Sequence, residues 1–278
     1  MIMNKRPSFH LTSLKSLKRS AALLALVGAI GMAGGCKEDS TSPDTGNNNN
    51  GKTDTTAFTV QLYPTFNGDA LHLYEKHVTS SGDTVSFSNI KFYLSDFRLV
   101  SDSGKETSLD GIFLVNLDDT AYRKSTFIPF NFMAPTGNYT ALKFNVGIDS
   151  AINHRDASAD EFPLGPNSGM YWSWNPGYVF HKVEGTVDSA GKEITILYHL
   201  GEDKRNAAIT ITDAISVSTG KTNTVSVNAD YNKFFSAGLK QGEPLRPSVN
   251  KNEREHQLSP KNLADRIYAN TLTMSSKK

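Results

Sequence analysis

Cysteine is almost absent: Cys36 is the only one in a chain of 278 residues. No disulfide can therefore form within the chain, and no thiolate cluster can hold a metal. H-E-x-x-H and C-x-x-C are missing, as is any phosphate-cradling glycine loop. There is no G-x-S-x-G elbow and no βα alternation that would carry one, which argues against a hydrolase. Charge of one sign is lacking too: 29 basic residues stand against 28 acidic ones. Tryptophan is scarce, and both copies, Trp172 and Trp174, fall in the single stretch GMYWSWNPGYVFHKVEG, residues 169–185.

The N-terminus reads as an address. Lys5, Arg6, Lys15, Lys18 and Arg19 form a positive segment without an acidic residue, followed by the apolar run AALLALVGAIGMAGG at 21–35. That run falls short of the roughly 20 apolar residues that span a bilayer, so it reads as a secretory signal. It stops at Ala33-Gly34-Gly35-Cys36. Small residues before a lone cysteine resemble a bacterial lipobox, so residues 1–35 are expected to be a lipoprotein signal, with Cys36 carrying the lipid. Removing the signal leaves 24 basic and 28 acidic residues, a net of −4. Such a balance gives no footprint for nucleic acid and no attraction to anionic lipid, so the acyl chain is the expected membrane partner. The rest of segment 36–57, KEDSTSPDTGNNNNGKTDTTA, has almost nothing to bury and reads as a disordered tether. Its CKEDS start resembles export signals of Bacteroidetes-type surface lipoproteins. The expected location is the cell envelope, at the outer membrane, with the cell surface as one destination.

Residues 58–278 are long enough for one domain with its own core. Period two dominates: Phe58, Val60 and Leu62 alternate with polar residues, as do Ile90, Phe92 and Leu94, then Leu142, Phe144, Val146 and Ile148, then Ile209 and Ile211. Turn signals separate these runs, among them Asn67-Gly68-Asp69, Ser81-Gly82-Asp83 and Thr219-Gly220-Lys221. The pattern predicts an all-β fold, an antiparallel β-sandwich, with one or two short C-terminal helices. One helix is expected at 229–237. The other is expected at about 260–273, with Ser259 as N-cap and Pro260 in the first turn.

Six histidines remain after the signal: His72, His77, His154, His181, His199 and His256. A hairpin with the three-residue loop Ser189-Ala190-Gly191 sets Asp188 opposite Lys192 and His181 directly opposite His199. Directly paired side chains share a face, with Cβ atoms about 5 Å apart, so the two imidazoles could share a metal ion. His72, His77 and His154 read as surface or packing residues. Asp118-Asp119 and Asp149 with Asn153 read as turn formers rather than calcium ligands. Exposed Tyr171, Trp172, Trp174 and Tyr178 leave a second function open, a metal-free surface module that binds glycan or protein.

IKFYLSDFRLVSDSGK (90–105), TGNYTALKFNVGIDSAIN (136–153), PLGPNSGMYWSWNPGYVFHKVEG (163–185) and LYHLG (197–201) follow one another in this order. Together they resemble the MbnP-like copper-binding protein family, named for members encoded with methanobactin genes. The resemblance implies an envelope β-sandwich that binds or handles copper rather than an enzyme. It implies histidine ligands and an oxidised tryptophan, kynurenine, made by a dihaem MauG-like peroxidase partner. His199 in LYHLG and His256 match family positions, whereas His181 is a departure. Trp172 or Trp174 would be the modified residue.

Overall fold

Each apolar-polar alternation becomes a strand with one buried face, because successive side chains of an extended chain point to opposite sides. The computed structural model describes residues 54–172, 177–236, 244–256 and 263–278. The segment read as a signal, Cys36 and the segment read as a tether up to residue 53 lie outside the described residues, as do Trp174, Ser259 and Pro260. In chain order the strands are β1 (Thr55–Phe66), β2 (Asp69–Ala70), β3 (Lys76–Val78), β4 (Thr84–Ser101), β5 (Glu106–Leu109), β6 (Phe113–Asn116), β7 (Ile128–Pro135), β8 (Gly137–Val146), β9 (Val179–Ser189), β10 (Lys192–Gly201), β11 (Ala207–Val217), β12 (Thr224–Asp230) and β13 (Ser275–Lys277). The α-helices are α1 (Ser150–Asn153) and α2 (Leu263–Met274).

Two sheets face one another. The first runs β13-β12-β1-β2, with β7 also on β1. The second runs β10-β9-β4-β8-β11, with β3, β5 and β6 added to the long β4. Pairing is antiparallel except between β1 and β12, which run parallel with Val60 beside Val225. Phe58, Val60 and Leu62 meet Ile90, Phe92, Val183 and Tyr198 in the core between the sheets. The expected all-β sandwich is therefore the observed class.

Two boundaries differ from the sequence reading. β1 begins at Thr55, inside the stretch read as tether, because Thr55 and Thr56 gain main-chain pairing with Pro135 and Ala134. The helix expected at 229–237 does not form. Ala229 and Asp230 complete β12, and Lys233–Phe235 make a single 3-10 turn that buries Phe234 and Phe235. Rings that fill a core hold this short segment better than helical propensity does. The last helix is described from Leu263, and its apolar stripe of Leu263, Ile267 and Met274 joins the core.

A second core lies on the other side of β4. Phe92 faces the sandwich, whereas its neighbour Tyr93 packs with Ile148, Leu164, Met170, Tyr178 and Phe180 beneath the segment that links β8 to β9. Hydrogen bonds from the Tyr93 hydroxyl to Pro163 O (2.8 Å) and from the Tyr178 hydroxyl to Leu164 O (2.9 Å) pin that cover. What the cover leaves open is the outer face of β9 and β10.

Candidate metal-binding site

The β9–β10 hairpin decides which histidines meet. Its loop has two residues, with Ser189 paired to Lys192. Ala190 and Gly191 both take positive φ, +54° and +78°. That is the backbone of a type I′ turn, whose twist suits adjacent strands. Asp188 Oδ1 accepts from Gly191 N at 2.9 Å and supports it. The three-residue loop read from the sequence is thus corrected by one residue. His199 lies opposite Lys182, and His181 lies opposite Leu200. A slip of one residue moves a side chain to the other face, so His181 and His199 point to opposite sides of the sheet.

His181 is only 3% exposed, between the sheets. Its Nε2 lies 3.1 Å from the Tyr231 hydroxyl, and the rings of Phe92 and Phe234 stack edge-on around it. Burial pushes its pKa down to about 3, so the ring is neutral. It is a core side chain and does not join the other two histidines.

The outer face holds a different set. Asn89 of β4 pairs with Glu184 of β9, which pairs with Leu197 of β10. Lys91, Lys182 and His199 form the next row. Glu184 is diagonal to His199, within reach of a long side chain. Its Oε1 lies 2.6 Å from His199 Nε2, and its Oε2 accepts from Asn89 Nδ2 at 2.9 Å. The His199 hydrogen bond, with help from Asn89 and Lys182, draws the Glu184 carboxyl down to about 2 against its desolvation. Lys182, by contrast, is lowered, chiefly by burial, and its ammonium donates to Gly169 O at 2.8 Å.

His256 arrives from 57 residues further along the chain. The segment 254–256 runs parallel to the free edge of β10: Leu197 N donates to Arg254 O (2.8 Å) and His256 N to Leu197 O (3.1 Å). At the next rung a side chain replaces the backbone, with His256 Nδ1 lying 3.2 Å from His199 N and 3.1 Å from Leu197 O. The two imidazole centroids are 5.3 Å apart. Burial, the largest influence, lowers the His256 pKa, and the neighbouring His199 adds to this. Upstream, the segment is tied down by buried Asp83, which accepts from Arg246 Nε and Ser248 N, both at 3.0 Å. A bond of 2.6 Å from the Tyr198 hydroxyl to Glu253 O adds a second tie.

Trp172 closes one end of this face. Its six-membered ring lies on Gly201, where a Cβ would meet Trp172 Cζ3 at 2.5 Å and Tyr178 O at 2.6 Å. Gly201 ends β10 two residues beyond His199, so Trp172 flanks the same strand end. Trp172 also borders a cleft of about 300 Å³ with Asn153, His154 and Asp203. Trp174 lies outside the described residues.

The remaining histidines do what lone histidines usually do. His77 stacks on Phe66 (4.7 Å), and exposed His154 pairs with Asp203 at 3.0 Å. Asp149 caps α1 through Ile152 N, and Asp119 accepts from Ala121 N. Glu184 and Asn89 were missed by the sequence reading. The one signal for Glu184 was its alternation with buried Val183 in HKVEG, which marks an outward carboxylate two residues from Lys182.

The donor set suits a metal that accepts imidazole. Metal-bound histidines commonly give their second ring nitrogen to a carboxylate or a backbone carbonyl. Here His199 has the Glu184 carboxylate, and His256 Nδ1 lies between the Leu197 carbonyl and the His199 amide. Among the described residues no group of three or more His, Cys, Asp and Glu side chains is arranged to hold a metal ion. The candidate donors among the described residues are the imidazoles of His199 and His256.

The solved structure of MbnP from Methylosinus trichosporium is similar: 17% identical, covering 66% of this chain and 78% of that one, with a TM-score of 0.48. No curated protein matches. The family profile described as MbnP matches residues 55–253, from the first residue of β1 to the turn just before His256. The match takes in well over half the chain, and the protein belongs to the MbnP family.

Proposed function

We propose that this protein binds copper at His199 and His256 and carries it in the cell envelope. The observation that supports this best is the pair of imidazoles 5.3 Å apart, each with one ring nitrogen already engaged by the protein. Imidazole suits copper among the first-row metals. Burial favours the neutral, electron-donating form of His256. Glu184 offsets the nearby charges of Lys182 and Lys91, which would otherwise repel a cation.

A tryptophan is the proposed source of a further donor. Indole offers only an N–H, with no lone pair free for metal. Oxidation to kynurenine, by a dihaem MauG-like peroxidase as the proposed partner, would give Trp172 or Trp174 an aromatic amine. Trp172 stands at the end of the strand that carries His199. Copper held there would be cargo, so the protein needs no catalytic turnover of its own. Lipid on Cys36 would hold it at the outer membrane.

Metal analysis and intact mass of protein from its native host test the reading. Copper at one equivalent, with one tryptophan converted to kynurenine, is the expected result. His199→Ala and His256→Ala should each lose the copper while keeping the wild-type circular dichroism. Copper retained by both variants would sink the assignment.

A glycan-binding module is the second reading, favoured by the cleft that Trp172 shares with Asn153, His154 and Asp203. An aromatic platform beside polar groups is a common sugar site. Glycan-array binding lost in Trp172→Ala and kept in His199→Ala would favour it over copper.

A further inference from the structure

We propose that Glu184 is the positioning residue of the site: backed by Asn89, its carboxylate holds the His199 proton on Nε2 and thereby presents Nδ1 to the metal. The assignment to a metal rests on the copper reading above, whereas the tautomer does not.

Both carboxylate oxygens are engaged, Oε1 with His199 Nε2 at 2.6 Å and Oε2 with Asn89 Nδ2 at 2.9 Å. A carboxylate so gripped cannot rotate away without breaking a bond. An ionised carboxylate only accepts hydrogen bonds, so the short contact requires a proton on His199 Nε2. In the neutral ring, Nδ1 then carries the lone pair. The three residues sit on the adjacent strands β4, β9 and β10, with Asn89 directly opposite Glu184. Sites carried on strands hold their geometry more tightly than sites on loops.

His256 has no such arbiter. Its Nδ1 faces an acceptor, Leu197 O, and a donor, His199 N, at nearly equal distances, and one nitrogen cannot serve both. The orientation of the pair thus depends on His199, and His199 depends on Glu184. A fold-stabilising role for the contact is a weak competitor. The side chains are 19% and 25% exposed, so water reaches the contact and screens it. Replacement of Glu184 should therefore leave the fold intact.

The test is nitrogen NMR of the full chain labelled with 15N-histidine, free of metal, at a pH well above the ordinary histidine pKa of about 6.5. Wild type should show His199 with a protonated Nε2 and an unprotonated Nδ1. Glu184→Ala should show mixed or reversed tautomers, and Glu184→Gln should restore the wild-type pattern, because its amide oxygen still accepts. In a chelator competition with Cu(I), Glu184→Ala should bind about 10- to 100-fold more weakly, the usual cost of losing such a partner, with Glu184→Gln between it and wild type. Thermal melts confirm that the variants are folded. A proton on Nδ1 in wild type would overturn the proposal, and so would a Glu184→Ala variant unchanged in tautomer. If wild type takes up no copper even with its tryptophan oxidised, the copper reading fails, and the metal-free spectra still decide the role of Glu184.

Discussion

His181 and His199 show how much one peptide step matters. Both are histidines of one hairpin, yet one is sealed in the core and the other faces out. For His181 the consequence is a dependence on pH. Its folded pKa of about 3 lies below the ordinary 6.5. Between those values the unfolded chain binds a proton that the folded chain refuses, so stability rises with pH across this window and is lost as pH falls. One such group sets a slope of up to about 1.4 kcal/mol per pH unit. Urea unfolding of His181→Leu at a series of pH values should show an acid limb shallower by about one proton. At neutral pH the same variant strands the Tyr231 hydroxyl and should lose about 1–3 kcal/mol. An acid limb as steep as wild type would mean that His181 is not the group responsible. The sequence reading set this residue opposite His199, one step out of register, because an alternating strand has two faces and only the register chooses between them.

At the scale of elements, the β9–β10 turn carries that choice. Ala190 at φ +54° is an unfavourable residue for a type I′ turn, where Asn-Gly is preferred. Ala190→Asn should raise stability by up to about 1 kcal/mol without moving the register, as read from urea midpoints. The end of β10 is equally constrained. Gly201 admits the Trp172 ring, and a methyl group there would collide with the ring and with Tyr178 O. Gly201→Ala should cost about 1–3 kcal/mol and shift the tryptophan emission as Trp172 moves. An unchanged spectrum would show that Trp172 does not rest there. Most strands were legible, since Phe58, Val60 and Leu62 and their counterparts bury the predicted face. The helix expected at 229–237 was misread because Phe234 and Phe235 look equally apolar as helix stripe or as core plug.

For the whole molecule, the site depends on how the C-terminal segment is returned to the second sheet. Asp83, the residue just before β4, holds Arg246 and Ser248 and so sets where 254–256 meets β10. Asp83→Ala removes the buried acceptor of these hydrogen bonds and should cost about 1–3 kcal/mol. It should also loosen the His256 ring against His199, seen as faster amide exchange at Leu197 and His256. Full protection at both amides in the variant would show that the segment is held by other contacts, such as Tyr198 with Glu253.

The sequence by itself determined the alternation that makes strands, the all-β class and the buried faces of Phe58, Val60 and Leu62 and of Ile90, Phe92 and Leu94. These are local properties, written in the period of a few residues. The tertiary structure alone decided that His256 caps the edge of β10, that Trp172 lies on Gly201, and that Glu184 rather than His181 is the partner of His199. Each of those depends on a register or on a contact between distant segments, and a single residue in a turn is enough to exchange one face of a strand for the other.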